Sequence, residues 1–307
     1  MNTSPRIVSL IASSTEIVFR LGMGANMVGR SHECDYPAEV KQLPVCTGPK
    51  FNPDGTSYEI DQRVKAILQE SLSVYRVDAE RLESLQPTHI ITQAQCEVCA
   101  VSLKDVEAAA CNLITSKPEI VSLEPNCLED IWKDVMRVGC SLDLKDRAEK
   151  LVADLKKRIE EIHGKAASLD RHPTVACVEW IEPLMAAGNW MPEIIELAGG
   201  VNLFGAAGKH SPWLVWDDVV ARDPDIIIVS PCGFDVQRTL QEMPLLSVKA
   251  NWNELKAVKT NNVYVCDGNA YFNRPGPRVV ESVEMLAEIL HPNDFHFGHE
   301  GTAWIRF

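Results

Sequence analysis

The 307-residue chain lacks the signatures on which most enzyme chemistries depend. It has no Walker-type phosphate loop, no Gly-x-Gly-x-x-Gly following a strand, no Gly-x-Ser-x-Gly elbow and no His-Glu-x-x-His helix. The phosphate cradle, the exposed nucleophile and the metal-ligand spacing that these motifs supply are therefore missing. Positive charge is also scarce: 30 Lys and Arg stand against 43 Asp and Glu, a net charge of −13. That balance argues against nucleic acid or an anionic lipid surface as partner, since both need a cationic face, and it suits a basic partner. Nothing approaches the roughly 20 consecutive apolar residues of a membrane span. The opening MNTSPRIVSLIASSTEIVFRLG carries one Arg and then only a short apolar run broken by Ser and Thr, so no export signal is visible. A cytoplasmic location is expected on that ground, with a periplasmic or extracellular one if translation starts upstream. The ten cysteines are scattered and not clustered as in a small stapled scaffold, which predicts free thiols.

What is present is a repetition. LGMGANMVG (21–29) returns as LAGGVNLFG (197–205), and RLESLQPTHIIT (81–92) returns as DDVVARDPDIIIVS (217–230), in the same order in each half. Each member of the second pair reads as a helix, a Pro turn and an apolar strand. Two similar lobes are expected, and such chains commonly place their site in the cleft between them. Strands predicted at 7–10, 27–29, 90–92, 120–123, 174–180, 226–229 and 262–266 alternate with helices, including 78–85, 102–110, 128–138, 192–197 and 277–290. The alternation argues for parallel sheets in an α/β chain. Residues 142–167 are charged, free of Pro and apolar at helical spacing, which predicts one long helix joining the lobes. The expected division is an amino-terminal lobe over 1–140, a connecting helix over 141–168 and a carboxy-terminal lobe over 169–307. The segment from His291 onward is expected to be a docked irregular tail.

In parallel α/β lobes ligands bind beyond the carboxyl ends of strands. The sequence places Ser13, Tyr36 and Gln93 there in the first half, and Trp180, Trp190, Trp213, Tyr271, Phe272 and Arg274 in the second. Rings with a few amide, hydroxyl and guanidinium groups suit a large, flat, partly apolar ligand. Trp213 follows a Pro in a polar loop, where packing alone explains it least. Cys96 and Cys99 form a Cys-x-x-Cys after a strand, and His32 and Cys34 share another loop of the same half. These four could hold zinc, the two thiols could do redox chemistry, or all four could be incidental. The second Cys pair of a structural zinc site is missing. His291, His296 and His299 in the tail read more simply as surface residues than as a metal cluster.

Taken together, RIVSL-x-x-SSTEI-x-x-x-LG, the Asp35-Tyr36-Pro37 triplet, the strand of LQPTHII, the long charged helix and the closing NRPGPR resemble the substrate-binding proteins of ABC importers that have a helical backbone. The resemblance runs from about Arg6 to Leu290 and is strongest to the cobalamin-binding branch. It implies the class III periplasmic-binding-protein fold: two Rossmann-like lobes with parallel sheets joined by one long α-helix. It also implies a non-catalytic monomer that binds a corrinoid and docks on an ABC permease without entering the membrane. By the same resemblance Trp180, Trp213 and Arg274 face the ligand, and Glu97 and Asp217 are the acids that meet the permease. Ala270 stands where the family pattern has Asp. The alternatives are a zinc, haem or siderophore binder, or a thiol-dependent enzyme that handles corrinoids through Cys96 and Cys99.

Overall fold

A run of small and β-branched residues at Ile7–Ser9 forms β1, a fully buried strand with pairing partners on both edges. The computed structural model describes residues 4–70, 74–94 and 115–307 of the chain. These divide into two compact units. Unit 1 holds the chain through Gly55 together with Glu59–Pro125 and Glu129–Ala153; unit 2 holds Thr56–Tyr58, Asn126–Leu128 and Asp154–Phe307.

In unit 1, β1 leads into α1 (Ala12–Arg20) and then β2 (Met27–Arg30). A short antiparallel pair, β3 (Thr47–Pro49) and β4 (Tyr75–Val77), flanks α2 (Ser57–Glu70) in sequence. After α3 (Ala79–Leu85) come β5 (His89–Gln93) and β6 (Glu119–Leu123), followed by α4 (Leu128–Ser141) and by α5 (Lys145–Ala167), which is assigned to unit 1 through Ala153 and to unit 2 from Asp154. The main sheet has the order β2-β1-β5-β6 and is parallel throughout. Val8, Leu10 and Ile90 fill one face of it with Leu82 and Cys46, excluding water from side chains worth about 1.5–3 kcal/mol each when fully buried.

Unit 2 repeats the plan. It contains β7 (Thr174–Trp180), β8 (Met185–Ala186), α6 (Met191–Leu197), β9 (Val201–Asn202), α7 (Trp216–Arg222) and β10 (Ile226–Val229). Then come α8 (Val236–Ser247), α9 (Lys256–Lys259), β11 (Val263–Cys266), α10 (Val279–Leu290) and β12 (Trp304–Arg306). Strands β9, β7, β10 and β11 pair in parallel in that order, the same order as in unit 1. Two antiparallel strands extend the sheet, β8 beside β7 and β12 beside β11. Ala176, Val178, Ile227, Val229, Val263 and Val265 pack on one face against Met243, Trp252 and Leu255.

The sequence echoes have a structural cause. Both α3 and α7 end in a left-handed residue, Gln86 at φ 44° and ψ 58° and Asp223 at φ 42° and ψ 67°. Pro87 and Pro224 follow, neither able to continue a helix, and the chain turns into β5 and β10. Asp78 caps the start of α3, its carboxylate accepting from the Arg81 N–H at 2.9 Å.

The structure departs from the sequence expectations in places. The long helix begins at Lys145, because Asp143 takes a left-handed conformation (φ 57°) and separates it from α4. The tail is not wholly irregular, since Trp304–Arg306 adds an antiparallel strand to the sheet edge. Helix α8 was not anticipated, its pattern being interrupted by Pro244. The helix predicted at 102–110 and the Cys-x-x-Cys loop lie outside the described residues.

Candidate functional site

The carboxyl end of β1 in unit 1 carries a dense set of hydroxyls. Ser9 Oγ and Ser14 Oγ are 2.5 Å apart, Thr15 Oγ1 lies 2.8 Å from Ser9 Oγ, and the Ser9 and Ser14 hydroxyls both reach the Ile11 carbonyl. Ser13, in the first turn of α1, is 1% exposed. Gln93 ends β5 and is buried, whereas Tyr36 is 48% exposed in the loop after β2.

His32 and Cys34 occupy that loop, and each is engaged by its neighbours. His32 Nδ1 lies 2.8 Å from Thr47 Oγ1, and its ring stands 5.0 Å from that of Tyr75. Burial first, and then the charge of Arg30, hold its imidazole below the usual histidine pKa. The Cys34 thiol accepts from Thr15 Oγ1 at 3.0 Å, and burial pushes its pKa up, so the thiolate that zinc requires is disfavoured. Cys96, Cys99 and Glu97 lie outside the described residues. Among the described residues no three His, Cys, Asp or Glu side chains are grouped to hold a metal, and the cysteines there are free thiols.

Unit 2 offers aromatic surface at its strand ends. Trp180, the last residue of β7, is half-buried and donates its indole N–H to the Glu182 carbonyl at 3.1 Å. Its ring lies 5.2 Å from that of Phe234, and the Arg238 guanidinium sits 4.3 Å from the other ring centroid, over Phe234. Arg238 is oriented by Glu242 at 2.8 Å, a carboxylate that also accepts from Ser57 Oγ at 2.6 Å. Beside this row the Ser211 hydroxyl donates to Glu179 at 2.8 Å and accepts from the Gly188 N–H at 3.1 Å. Trp213 is 59% exposed on a segment bridged to Met185.

The loop after β11 makes a single wide turn at Gly268–Phe272, capped by Asp267, whose carboxylate accepts from the Ala270 N–H at 2.6 Å. Gly268 allows the chain to pass the Pro231 carbonyl, since a Cβ there would lie 2.1 Å from that oxygen. Trp190 and Phe272 turn out to be core residues: Phe272 is fully buried and the Trp190 N–H is spent on the Phe272 carbonyl at 3.1 Å. Arg274 is buried, its guanidinium 3.3 Å from Asn269 Oδ1. Tyr271 is half-buried with the Arg278 guanidinium 4.8 Å from its ring centroid. Asp217 is exposed in the first turn of α7.

Arg238, Glu242 and Glu179 were missed by motif reasoning. The usable signal was Asp235, a helix-capping residue directly after Phe234, which puts Arg238 one turn into α8 beside the preceding ring. The arrangement can stack on and orient a flat ligand, but among the described residues it aligns no nucleophile with a general base.

Residues 7–270 match the family described as periplasmic binding protein. An uncharacterized ABC transporter substrate-binding lipoprotein of Bacillus subtilis, YvrC, is 24% identical over 298 residues, covering 94% of this chain and 81% of the relative. A vitamin B12-binding protein of Vibrio parahaemolyticus is 22% identical, covering 92% of this chain and 88% of its own. Among solved structures, the periplasmic heme-binding protein RhuT of Roseiflexus in apo form superposes with a TM-score of 0.70 at 23% identity, covering 94% of this chain and 99% of that one. The cytoplasmic location expected from the amino-terminal residues is corrected by these relatives, one named a lipoprotein and another periplasmic. Among the described residues no helix is long and apolar enough to cross a membrane. The chain belongs to the periplasmic binding protein family, the non-catalytic substrate-binding proteins of ABC transporters.

Proposed function

We propose that this protein works outside the cytoplasmic membrane, where it binds a corrinoid and presents it to an ABC permease. The observation that carries the reading is the exposed aromatic surface at the strand ends of unit 2, with Trp213 59% exposed and Trp180 in a row with Phe234 and Arg238. Rings and a guanidinium plane cover a flat macrocycle at small entropic cost, while the Ser211–Glu179 pair supplies polar edges for its amides. The vitamin B12-binding relative supports the same ligand class. In unit 1, Tyr36, Ser13 and Gln93 are the residues we assign to ligand contact, and Arg274 and Tyr271 join Trp180 and Trp213 in unit 2. Asp217, exposed at a helix start, is the acid we assign to the permease, where it gains recognition and on-rate from basic pockets.

A haem reading is favoured by one feature, the exposed phenol of Tyr36, because a phenolate can ligate haem iron. The deciding experiment is parallel titration of the purified protein with hydroxocobalamin and with haemin, followed by calorimetry and visible spectra. One-to-one cobalamin binding at micromolar or tighter affinity, with weaker haemin binding, supports the corrinoid. The reverse order, with a Soret shift lost in Tyr36→Phe, selects haem.

A further inference from the structure

Strand β7 carries one residue too many for its neighbour. Val178 pairs with Ala186 and Trp180 with Met185, so two steps along β7 answer one step along β8, and Glu179 is the extra residue of a bulge. Ala176 and Val178 point into the core of unit 2, and strict alternation would send Trp180 after them. The bulge turns it to the other face, together with Met185, whose neighbour Leu184 lies in that core. The segment after His210 runs antiparallel beside β8. The Ala186 N–H donates to the Pro212 carbonyl at 3.0 Å, the Leu214 N–H donates to the Leu184 carbonyl at 2.8 Å, and Met185 stands opposite Trp213. Leu214 packs on the core, so Trp213 points away from it. Trp180, Met185 and Trp213 therefore form a row across three strands, with neighbouring Cβ atoms about 5 Å apart and the thioether in the middle.

That thioether is open to chemistry. Met185 is partly exposed, whereas Met27, Met191, Met243 and Met285 are each 4% exposed or less. Among the described residues Met23 and Met136 are also partly exposed, but both belong to unit 1, away from the row. Hydrogen peroxide oxidises a thioether in one two-electron step. A sulfur lone pair attacks one peroxide oxygen, the S–O bond forms as the O–O bond breaks, and the departing hydroxide takes the proton of the transferred oxygen and leaves as water. The sulfoxide sets a strong dipole at the centre of an apolar row. A ligand lying on the row covers that oxygen, and the Trp180 indole N–H, already donated to the Glu182 carbonyl, is not available to match it. We propose that Met185 is a modification site, whose oxidation to the sulfoxide by peroxide lowers the affinity of this row for its ligand and whose reduction restores it. The identity of the ligand rests on the macrocycle reading above; the site itself rests on the row.

The test exposes the purified full chain, Met185→Leu and Met185→Gln to graded hydrogen peroxide, maps the sulfoxides by peptide mass spectrometry, and then titrates hydroxocobalamin and haemin. In wild type the Met185 sulfoxide is expected to form before those of the four buried methionines and to weaken binding about tenfold, the scale of covering one polar group without a partner. Met185→Leu should bind like untreated wild type before and after peroxide. Because it keeps every thiol of the chain, it separates the thioether from the cysteines. Met185→Gln should show the weakening with no oxidant. Methionine sulfoxide reductases should return treated wild type to full affinity, where their thiol reductant alone does not. Unchanged binding by protein oxidised at Met185, or an equal loss in Met185→Leu, overturns the site. If neither macrocycle binds untreated protein, the same series is read by the fluorescence of anilinonaphthalene sulfonate, a probe of apolar surface. A loss confined to wild type then keeps the site and removes only the macrocycle reading, and no difference from Met185→Leu overturns the site as well.

Discussion

Glu284 Oε2 on α10 lies 3.0 Å from the His299 imidazole, tying the carboxy-terminal segment to the helix that precedes it. The other carboxylate oxygen of Glu284 takes the Arg158 guanidinium at 2.6 Å. The hydrogen bond to Glu284 raises the His299 pKa against the opposing effect of burial. Burial pushes the Glu284 carboxyl up, but the bonds from His299 and Arg158 outweigh it and leave the group below its usual value. A histidine raised in the folded state contributes stability that is complete below its unfolded pKa of about 6.5 and fades as pH climbs through the higher folded value. The lowered Glu284 contributes above its unfolded value and fades as pH falls through the folded one. Both contributions coexist between about pH 5 and 6.5. His299→Gln should therefore cost about 1–2 kcal/mol at pH 6 and clearly less at pH 9, as read from urea unfolding at the two values. An equal loss at both would remove the charge from the account.

Glu288 anchors the same segment by a different device. Its carboxylate accepts the backbone N–H of Phe297, that of Gly298 at 2.6 Å and the indole N–H of Trp304 at 3.0 Å. Glu288→Ala leaves the buried indole N–H of Trp304 unmatched and frees two backbone donors on the exposed residues Phe297 and Gly298, and should cost about 2–3 kcal/mol, whereas Trp304→Phe should cost about 1–2 kcal/mol. Amide hydrogen exchange at Phe297 and Gly298 should accelerate in Glu288→Ala before the β-sheet amides do.

Gly268→Ala tests the close passage of two loops. With 2.1 Å between the added carbon and the Pro231 carbonyl, one of the backbones must move, at a cost of about 2–4 kcal/mol. The shift should also displace Tyr271, so ligand affinity should fall beyond what the stability loss predicts. An affinity equal to wild type would detach this turn from the ligand.

Trp213→Ala removes a ring that is mostly exposed, so thermal stability should change by less than about 0.5 kcal/mol while macrocycle affinity drops about 10- to 100-fold. Trp180→Ala should lower affinity comparably but also cost about 1–2 kcal/mol, because it strips one side of Phe234. Calorimetry of binding and of unfolding on both variants separates the two effects.

The architecture was legible because its punctuation is local. A left-handed residue before Pro87 and Pro224, and buried β-branched strands after them, are written in consecutive residues. The four parallel strands of each main sheet follow from that alternation. Less was legible about the rings. Trp190 and Trp213 look alike in sequence, and only tertiary packing spends the Trp190 N–H on Phe272 while leaving Trp213 in the open. The Arg238–Glu242 pair was hidden because Pro244 interrupts the helical pattern one turn later. The start of the long helix was misplaced because Leu142, Asp143 and Leu144 fit helical spacing, although Asp143 adopts a backbone that ends a helix.

In each unit the strand made first is also the strand that must sit in the middle: β1 lies between β2 and β5, and β7 between β9 and β10. On the ribosome, β1 therefore emerges with two open edges and keeps one of them until His89–Gln93 has left the exit tunnel, some eighty residues later. For β7 the wait lasts until Ile226–Val229. The nascent chain spends those intervals with an unsaturated apolar strand on display, so holdase chaperones would have their main purchase on Ile7–Ser9 and Thr174–Trp180, and pausing of translation just before either closing strand would raise the yield of aggregate.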